Sequence, residues 1–254
     1  MGAAGLAPAN SLAAIEAALR VGVDLVELDV WSTQDNHLVL GHFDWIRPVM
    51  AGASLQEGSS GAHDAVARGQ HWLRTTSAWH RWPRISRTTL AELQALANPP
   101  VLLEEALDLL RGRAVPYLDL RDSRMTERLC TLVRAKPPDG VILSAGPHRS
   151  FQAELALLPE AQATSGFAIP LFGRALSAES IAAVTRASIR RARRMGASGL
   201  SVEYHLVRPP LVEICREEDF FVFAWTVDDP ATMRRLASLG VDGITSNRPD
   251  LFHF

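Results

Sequence analysis

The sequence predicts an α/β chain of the eight-stranded (β/α) TIM-barrel class. Three observations carry that prediction. From Thr88 onward, apolar strand-like runs alternate with helix-like runs, the pattern of a parallel sheet with helical crossovers. The chain has 254 residues, a length typical of one such barrel. Charged residues two apart stand at the carboxyl ends of two predicted strands, Glu27 and Asp29 on one, Asp119 and Arg121 on the other, where that architecture gathers its chemistry.

The elements follow in order. Asn10 to Arg20 reads as a helix, with Asn10 or Ser11 as N-cap, an apolar face of Leu12, Ile15, Ala18 and Leu19, and Gly22 as its stop. The stretch Asp24 to His42, DLVELDVWSTQDNHLVLGH, comes next. On a strand, side chains alternate, so Leu25, Glu27 and Asp29 share one face while Val26, Leu28 and Val30 share the other. The second face suits packing under helices. The first places two acids side by side, which a core does not accept without a positive partner; a divalent cation is the simplest one, since hard cations take carboxylate oxygens. A polar turn through Gln34, Asp35 and Asn36 leads to a short strand, Leu38 to Leu40, which returns His42 to the acids.

Trp45 to Arg87, with its Gly58 to Gly61 cluster and four tryptophans, reads as an irregular insertion or lid after the second strand of the barrel. Helices are then expected at Leu90–Leu96, Leu102–Leu110, near Arg124–Arg134, at Arg149–Leu157, Ser177–Met195 and Pro210–Glu217, and between Asp229 and Gly240. Strands are expected at Val115–Arg121, Gly140–Ala145, Thr164–Pro170, Gly199–Tyr204, Phe220–Val227 and Val241–Ser246. With the acid-bearing strand these make seven parallel strands. Asp119 and Arg121 are two apart and share a face, and Trp225 and Asn247 stand at the ends of the last two strands. The whole of 1–254 is expected to be one domain.

Composition excludes several functions. The chain is 47% hydrophobic and 21% charged, enough for a full core, and its net charge of −2 gives no reason to expect nucleic acid as a partner. Lys136 is the sole lysine, which leaves little room for Schiff-base or Walker-type chemistry. Cys130 and Cys215 lack metal or disulfide spacing. No apolar run is long enough to span a membrane, and Met1 to Pro8 lacks the pattern of a secretion signal, so a cytoplasmic location is the default. The arginine run from Arg186 to Arg194 reads as a solvated helix face.

With these residues in place, the sequence resembles the glycerophosphodiester phosphodiesterase family. Gly2 fits the glycine of that family's opening His-Arg-Gly, and Pro8, Asn10 and Ser11 fit its Pro-Glu-Asn-Thr. Glu27-Leu28-Asp29 fits its Glu-Leu-Asp strand, and His42 the histidine of its His-Asp. Asp119-Leu120-Arg121 stands where the family has Glu-Ile-Lys. Trp225-Thr226-Val227 and Gly240 to Ile244 fit its last two motifs. The resemblance spans nearly the whole chain apart from the insert.

The resemblance implies metal-dependent hydrolysis of glycerophosphodiesters to glycerol 3-phosphate and an alcohol. Glu27, Asp29 and Asp119 would bind Mg²⁺ or Ca²⁺, and His42 would act as a general acid or base. Arg121 would hold a phosphate oxygen, and Trp225 would wall the glycerol carbons. The partner would be a small phosphodiester. The sequence also departs from the family: it opens at Met1-Gly2 without the His-Arg of the first motif, and Ala9, Phe43 and Ser246-Asn247 replace Glu, Asp and Thr-Asp. Two explanations compete. Either coding sequence lies upstream of Met1, or the chain is a divergent barrel lacking its first strand, with open strand edges, that binds a phosphorylated ligand or metal without turnover. In the second case the Met1 amine would lie near the site.

Overall fold

The computed structural model describes residues 1–44, 84–167 and 177–252. Residues 45–83 of the expected insertion lie outside these. The described residues form two compact units: Met1–Pro116 with Leu120–Asp139, and Tyr117–Asp119 with Gly140–Phe254. They are called unit 1 and unit 2.

Unit 1 opens on helix α1 (Leu12–Val21). Its cap is Ser11, whose Oγ accepts the Ala14 amide at 3.1 Å, and it ends at Gly22 in the left-handed region, φ 85°. Strand β1 (Leu25–Ser32) follows, then β2 (Leu38–Leu40), paired antiparallel with Val30 opposite Leu40. A 3₁₀ turn at Ile85–Arg87 precedes α2 (Leu90–Gln94), which starts with a reciprocal Thr89–Glu92 capping box. Helix α3 (Leu103–Leu110) buries Leu103, Ala106, Leu107 and Leu110 and packs against α1, which turns Ala14, Ile15, Ala17 and Ala18 inward. After strand β3 (Val115–Leu120), a 3₁₀ turn leads into α4 (Thr126–Ala135). Val26, Leu28 and Val30 are each at most 2% exposed, so the apolar face of β1 is core, as its alternation requires.

Strand β3 is common to both units. Its ends bond to β1 inside unit 1: the Val115 amide donates to Asp24 O at 2.9 Å and the Arg121 amide to Val30 O at 3.0 Å. Its middle pairs with β4 (Ile142–Ala145) inside unit 2, Asp119 opposite Ser144. From there unit 2 is a run of parallel strands: β5 (Gln162–Gly166), β6 (Gly199–Glu203), β7 (Phe221–Trp225) and β8 (Gly243–Ile244). Its helices are α5 (Gln152–Leu157), α6 (Ala178–Arg194), α7 (Pro209–Glu217) and α8 (Pro230–Leu239). Helix α8 has the three punctuating residues the sequence announces: Asp229 at the cap, Pro230 in the first turn and left-handed Gly240 at the end.

The hydrogen-bonded strand order is β2-β1-β3-β4-β5-β6-β7-β8. The seven parallel strands occur as expected, and the hairpin partner β2 is the eighth. Three expectations change. The strand expected at 164–170 spans 162–166, because Gln162 already pairs with Ile142; residues 168–170 of that expectation lie outside those described. The last strand is Gly243–Ile244 rather than Val241–Ser246, because Ser246 and Asn247 turn aside to bind Asp228. The acid-bearing strand is not an open edge: β2 covers its carboxyl half, and the Gly2 amide donates to Glu27 O at 3.1 Å. Gly2 has to be glycine. At φ 66° a Cβ would stand 2.8 Å from the Ala14 carbonyl carbon of α1.

Candidate active site

On β1 the alternation runs Glu27, Asp29, Trp31 on one face, and along β3 and just past its end it runs Tyr117, Asp119, Arg121. Direct bonding of the two strands brings three carboxylates together. Glu27, Asp29 and Asp119 each offer an oxygen, and the three oxygens lie within 4.8 Å of one another. Asp29 is 1% exposed. Its Oδ1 accepts both Nε (2.9 Å) and a terminal nitrogen (2.5 Å) of Arg121. Its Oδ2 is buried and has no hydrogen-bond partner among the described residues. The amino group of Met1 donates to the Glu27 carboxylate and carbonyl.

A buried carboxylate oxygen left unbonded costs about 1–3 kcal/mol or more, and three like charges this close disfavour one another. A hard divalent cation removes both penalties. An all-oxygen set suits Mg²⁺ or Ca²⁺ rather than a thiophilic metal. The residues present therefore fit such an ion, with Asp29 Oδ2 as the oxygen that most needs one.

His42 follows Gly41, whose amide donates to Asp29 O at 3.0 Å. The hairpin register thus brings the backbone next to His42 alongside Asp29 on β1. His42 is partly buried, and its ring lies against Phe43, centroids 4.3 Å apart. It is not one of the three clustered ligands. In unit 2, Trp225 ends β7 opposite Glu203 on β6 and is partly exposed. Asn247 is 8% exposed, and its side chain and amide both bind Asp228, at 2.9 and 2.8 Å. His205 pairs with Glu203 at 2.6 Å. Lys136 is held by Asp108 (2.5 Å) and Glu104 (2.9 Å) of α3 at the surface of unit 1.

Sequence reasoning gives no site role to Arg87 or Arg124. Both line a hollow of unit 1 that Trp31 and Arg121 also line. Their one signal in the sequence is charge beside turn residues, which surface arginines share.

The chain is similar to known proteins over nearly its whole length. The model of the Glycerophosphoryl diester phosphodiesterase family matches residues 1–136 and 157–251. The first match runs through 45–87, so the insert is within the family's span and the gap falls at 137–156 instead. A glycerophosphodiester phosphodiesterase of Bacillus subtilis is 23% identical over 99% of this chain and 83% of its own length. One from Caldanaerobacter subterraneus is 24% identical over 96% of this chain and 90% of its own. Among solved structures, an Oleispira antarctica phosphodiesterase in complex with the product sn-glycerol-3-phosphate has a TM-score of 0.71 at 20% identity, over 98% of this chain and 91% of that one. A glycerophosphodiester phosphodiesterase from Agrobacterium tumefaciens has a TM-score of 0.69 at 22% identity, over 99% and 96%. The shared fold is the TIM-barrel class predicted from the alternation of elements.

Proposed function

The chain belongs to the glycerophosphoryl diester phosphodiesterase family, and from that premise we propose that it hydrolyses glycerophosphodiesters to glycerol 3-phosphate and an alcohol, using Mg²⁺ or Ca²⁺. The observation that carries this reading is the group of three carboxylate oxygens within 4.8 Å, one of these carboxylates having a buried, unbonded oxygen. Glu27, Asp29 and Asp119 would hold the ion. When bound, it supplies positive charge against a phosphate oxygen and lowers the pKa of a coordinated hydroxyl.

The remaining roles fall to this chain's own side chains. Arg121 fixes Asp29 by two donors to one oxygen, which leaves the other oxygen available. In this arrangement Arg121 positions a ligand first, and its partly exposed guanidinium also serves the phosphate. His42 moves protons at its ring nitrogens, the chemistry imidazole performs near neutral pH. Trp225 offers an apolar wall for the glycerol carbons. Among the described residues no helix is long and apolar enough to cross a membrane.

The test is release of glycerol 3-phosphate from glycerophosphocholine with Mg²⁺ or Ca²⁺ present. Glu27→Ala and His42→Ala should each lower kcat/KM by about 100-fold or more, the usual scale for a charge-stabilising or proton-transfer group. Turnover untouched by both substitutions would overturn the assignment. A second reading, metal or phosphate binding without turnover, is favoured by Phe43: an aromatic ring, not a carboxylate, packs on the His42 imidazole. Under that reading the divalent ion raises Tm while no glycerol 3-phosphate appears. At 100 times its Kd, an ion bound only to the native state adds about 2.7 kcal/mol, and Glu27→Gln should remove that gain.

A further inference from the structure

The face of β1 that carries Glu27 and Asp29 continues one step outward to Trp31, and the face of β3 that carries Asp119 continues to Arg121. There the surface of unit 1 opens into a hollow of about 530 Å³, lined by Trp31, Arg121, Arg87, Arg124, Asp122 and two serines. Arg121 joins the two places, since it binds Asp29 and lines the hollow. Three guanidinium groups line the hollow; Arg121 is already paired with Asp29, and Arg124 Nε with Asp122 at 3.1 and 3.0 Å, so the excess positive charge is that of Arg87. Arg124 is anchored further by the Ser32 and Ser86 carbonyls. Arg87 is exposed, and among the described residues its guanidinium has no hydrogen bond or ion pair.

Such a hollow carries a net positive field that attracts anions, and guanidinium forks match phosphate oxygens. The partly exposed indole of Trp31 gives it one flat apolar wall, which suits the carbon skeleton of a polyol ring. A choline cation would meet repulsion there instead. We infer that this hollow receives the alcohol half of the phosphodiester, and that the favoured alcohol is an anionic polyol bearing its own phosphate. The inference rests on the phosphodiesterase reading above and narrows its substrate class. Arg87 is the uncommitted cation for that second phosphate, Arg124 a fixed one, and Trp31 the wall.

The test reads binding as well as turnover. Calorimetric titration of the full chain with inositol 4-phosphate and with unphosphorylated inositol at low salt measures the hollow directly. Inositol 4-phosphate should bind at least about tenfold more tightly, the scale of one charged hydrogen bond. Arg87→Ala should erase most of that difference, and Arg87→Lys should restore part of it. Because the Arg87 side chain is exposed and bonds none of the described residues, both variants should keep the wild-type Tm. In turnover, glycerophosphoinositol 4-phosphate should exceed glycerophosphoinositol in kcat/KM by a similar factor, and Arg87→Ala should remove the preference. Equal binding of the two inositols, or a preference unchanged by Arg87→Ala, overturns the inference. If inositol 4-phosphate binds through Arg87 while no phosphodiester is cleaved, the hollow assignment stands and the hydrolytic reading fails. If both diesters are cleaved at one rate, hydrolysis stands and the hollow assignment fails.

Discussion

Strand β1 in unit 1 and strands β6 to β8 in unit 2 use the same two-residue alternation to opposite ends. In unit 2 the aromatic side chains next to Tyr117 are packed together. Phe221 and Phe223 lie 5.2 Å apart, and Phe223 meets Tyr117 edge-on at 5.3 Å. The neighbouring strands make room by giving up side chains: a Cβ on Gly199 would stand 2.3 Å from the Phe221 ring, and one on Gly243 2.8 Å from Phe223. The Tyr117 hydroxyl is bonded to Thr164 at 2.9 Å. In unit 1 one face of β1 carries acids, one of them 1% exposed with an oxygen unsatisfied. Around Tyr117 the strands are closed by packing. On β1 a buried carboxylate oxygen is left without a partner among the described residues, and that incompleteness marks the candidate site.

The sharpest way to break the contrast is at Arg121. Removing one partner of a buried ion pair strands the other charge, at a cost of about 3–5 kcal/mol; with Arg121 34% exposed, the low end applies. Arg121→Ala should therefore lose on the order of 3 kcal/mol in urea unfolding under chelator, and Mg²⁺ or Ca²⁺ should return part of it. No return would mean the acids do not share an ion.

Overfilling the packed face comes next. Gly199→Ala should cost about 1–3 kcal/mol, with no dependence on divalent cations, and Phe221→Leu in the same chain should relieve it. A cation-dependent loss would show that this packing and the acid cluster are coupled.

Tyr117→Phe should be milder, about 1 kcal/mol for one hydrogen bond. Burial pushes the Tyr117 phenol above its ordinary value of 10.0. The stability linked to it is fully present below about pH 10 and lost as pH rises further. Absorbance titration of the native protein should show one of its two tyrosines ionising only well above the usual range.

The smallest effect concerns Cys215. Burial pushes its thiol up to about 12, and nearby Asp242 and Glu218 add to the shift. Alkylating reagent at pH 8 should leave it unmodified in the native state. Ready labelling would show that the packed unit opens more easily than its core implies.

Much of the site was legible because it is local. Glu27 and Asp29 sit two apart on a strand whose other face is apolar, and the hairpin to His42 spans few residues. The link from Asp29 to Arg121 was not legible as such. Alternation assigns Arg121 a face and a strand end, but its use on Asp29 depends on β1 and β3 being neighbours across 92 positions. Ser246 and Asn247 stand where a strand and its end are expected, yet Asp228 draws them away. Arg87 and Arg124 read as ordinary surface charge, since only the folded turns at 85–87 and 123–125 set them around one hollow.

By itself, then, the sequence determined the alternation of strands and helices, the frame of α8 from Asp229 to Gly240, and which residues of each strand share a face. These are short-range matters, fixed by backbone geometry within a few residues. The family resemblance had already grouped Asp119 with Glu27 and Asp29; only the tertiary structure decided that Arg121 occupies one oxygen of Asp29 and spares the other, and that Gly199 lies beneath a phenyl ring. Those depend on strand order and on contacts between distant positions, which no local pattern encodes.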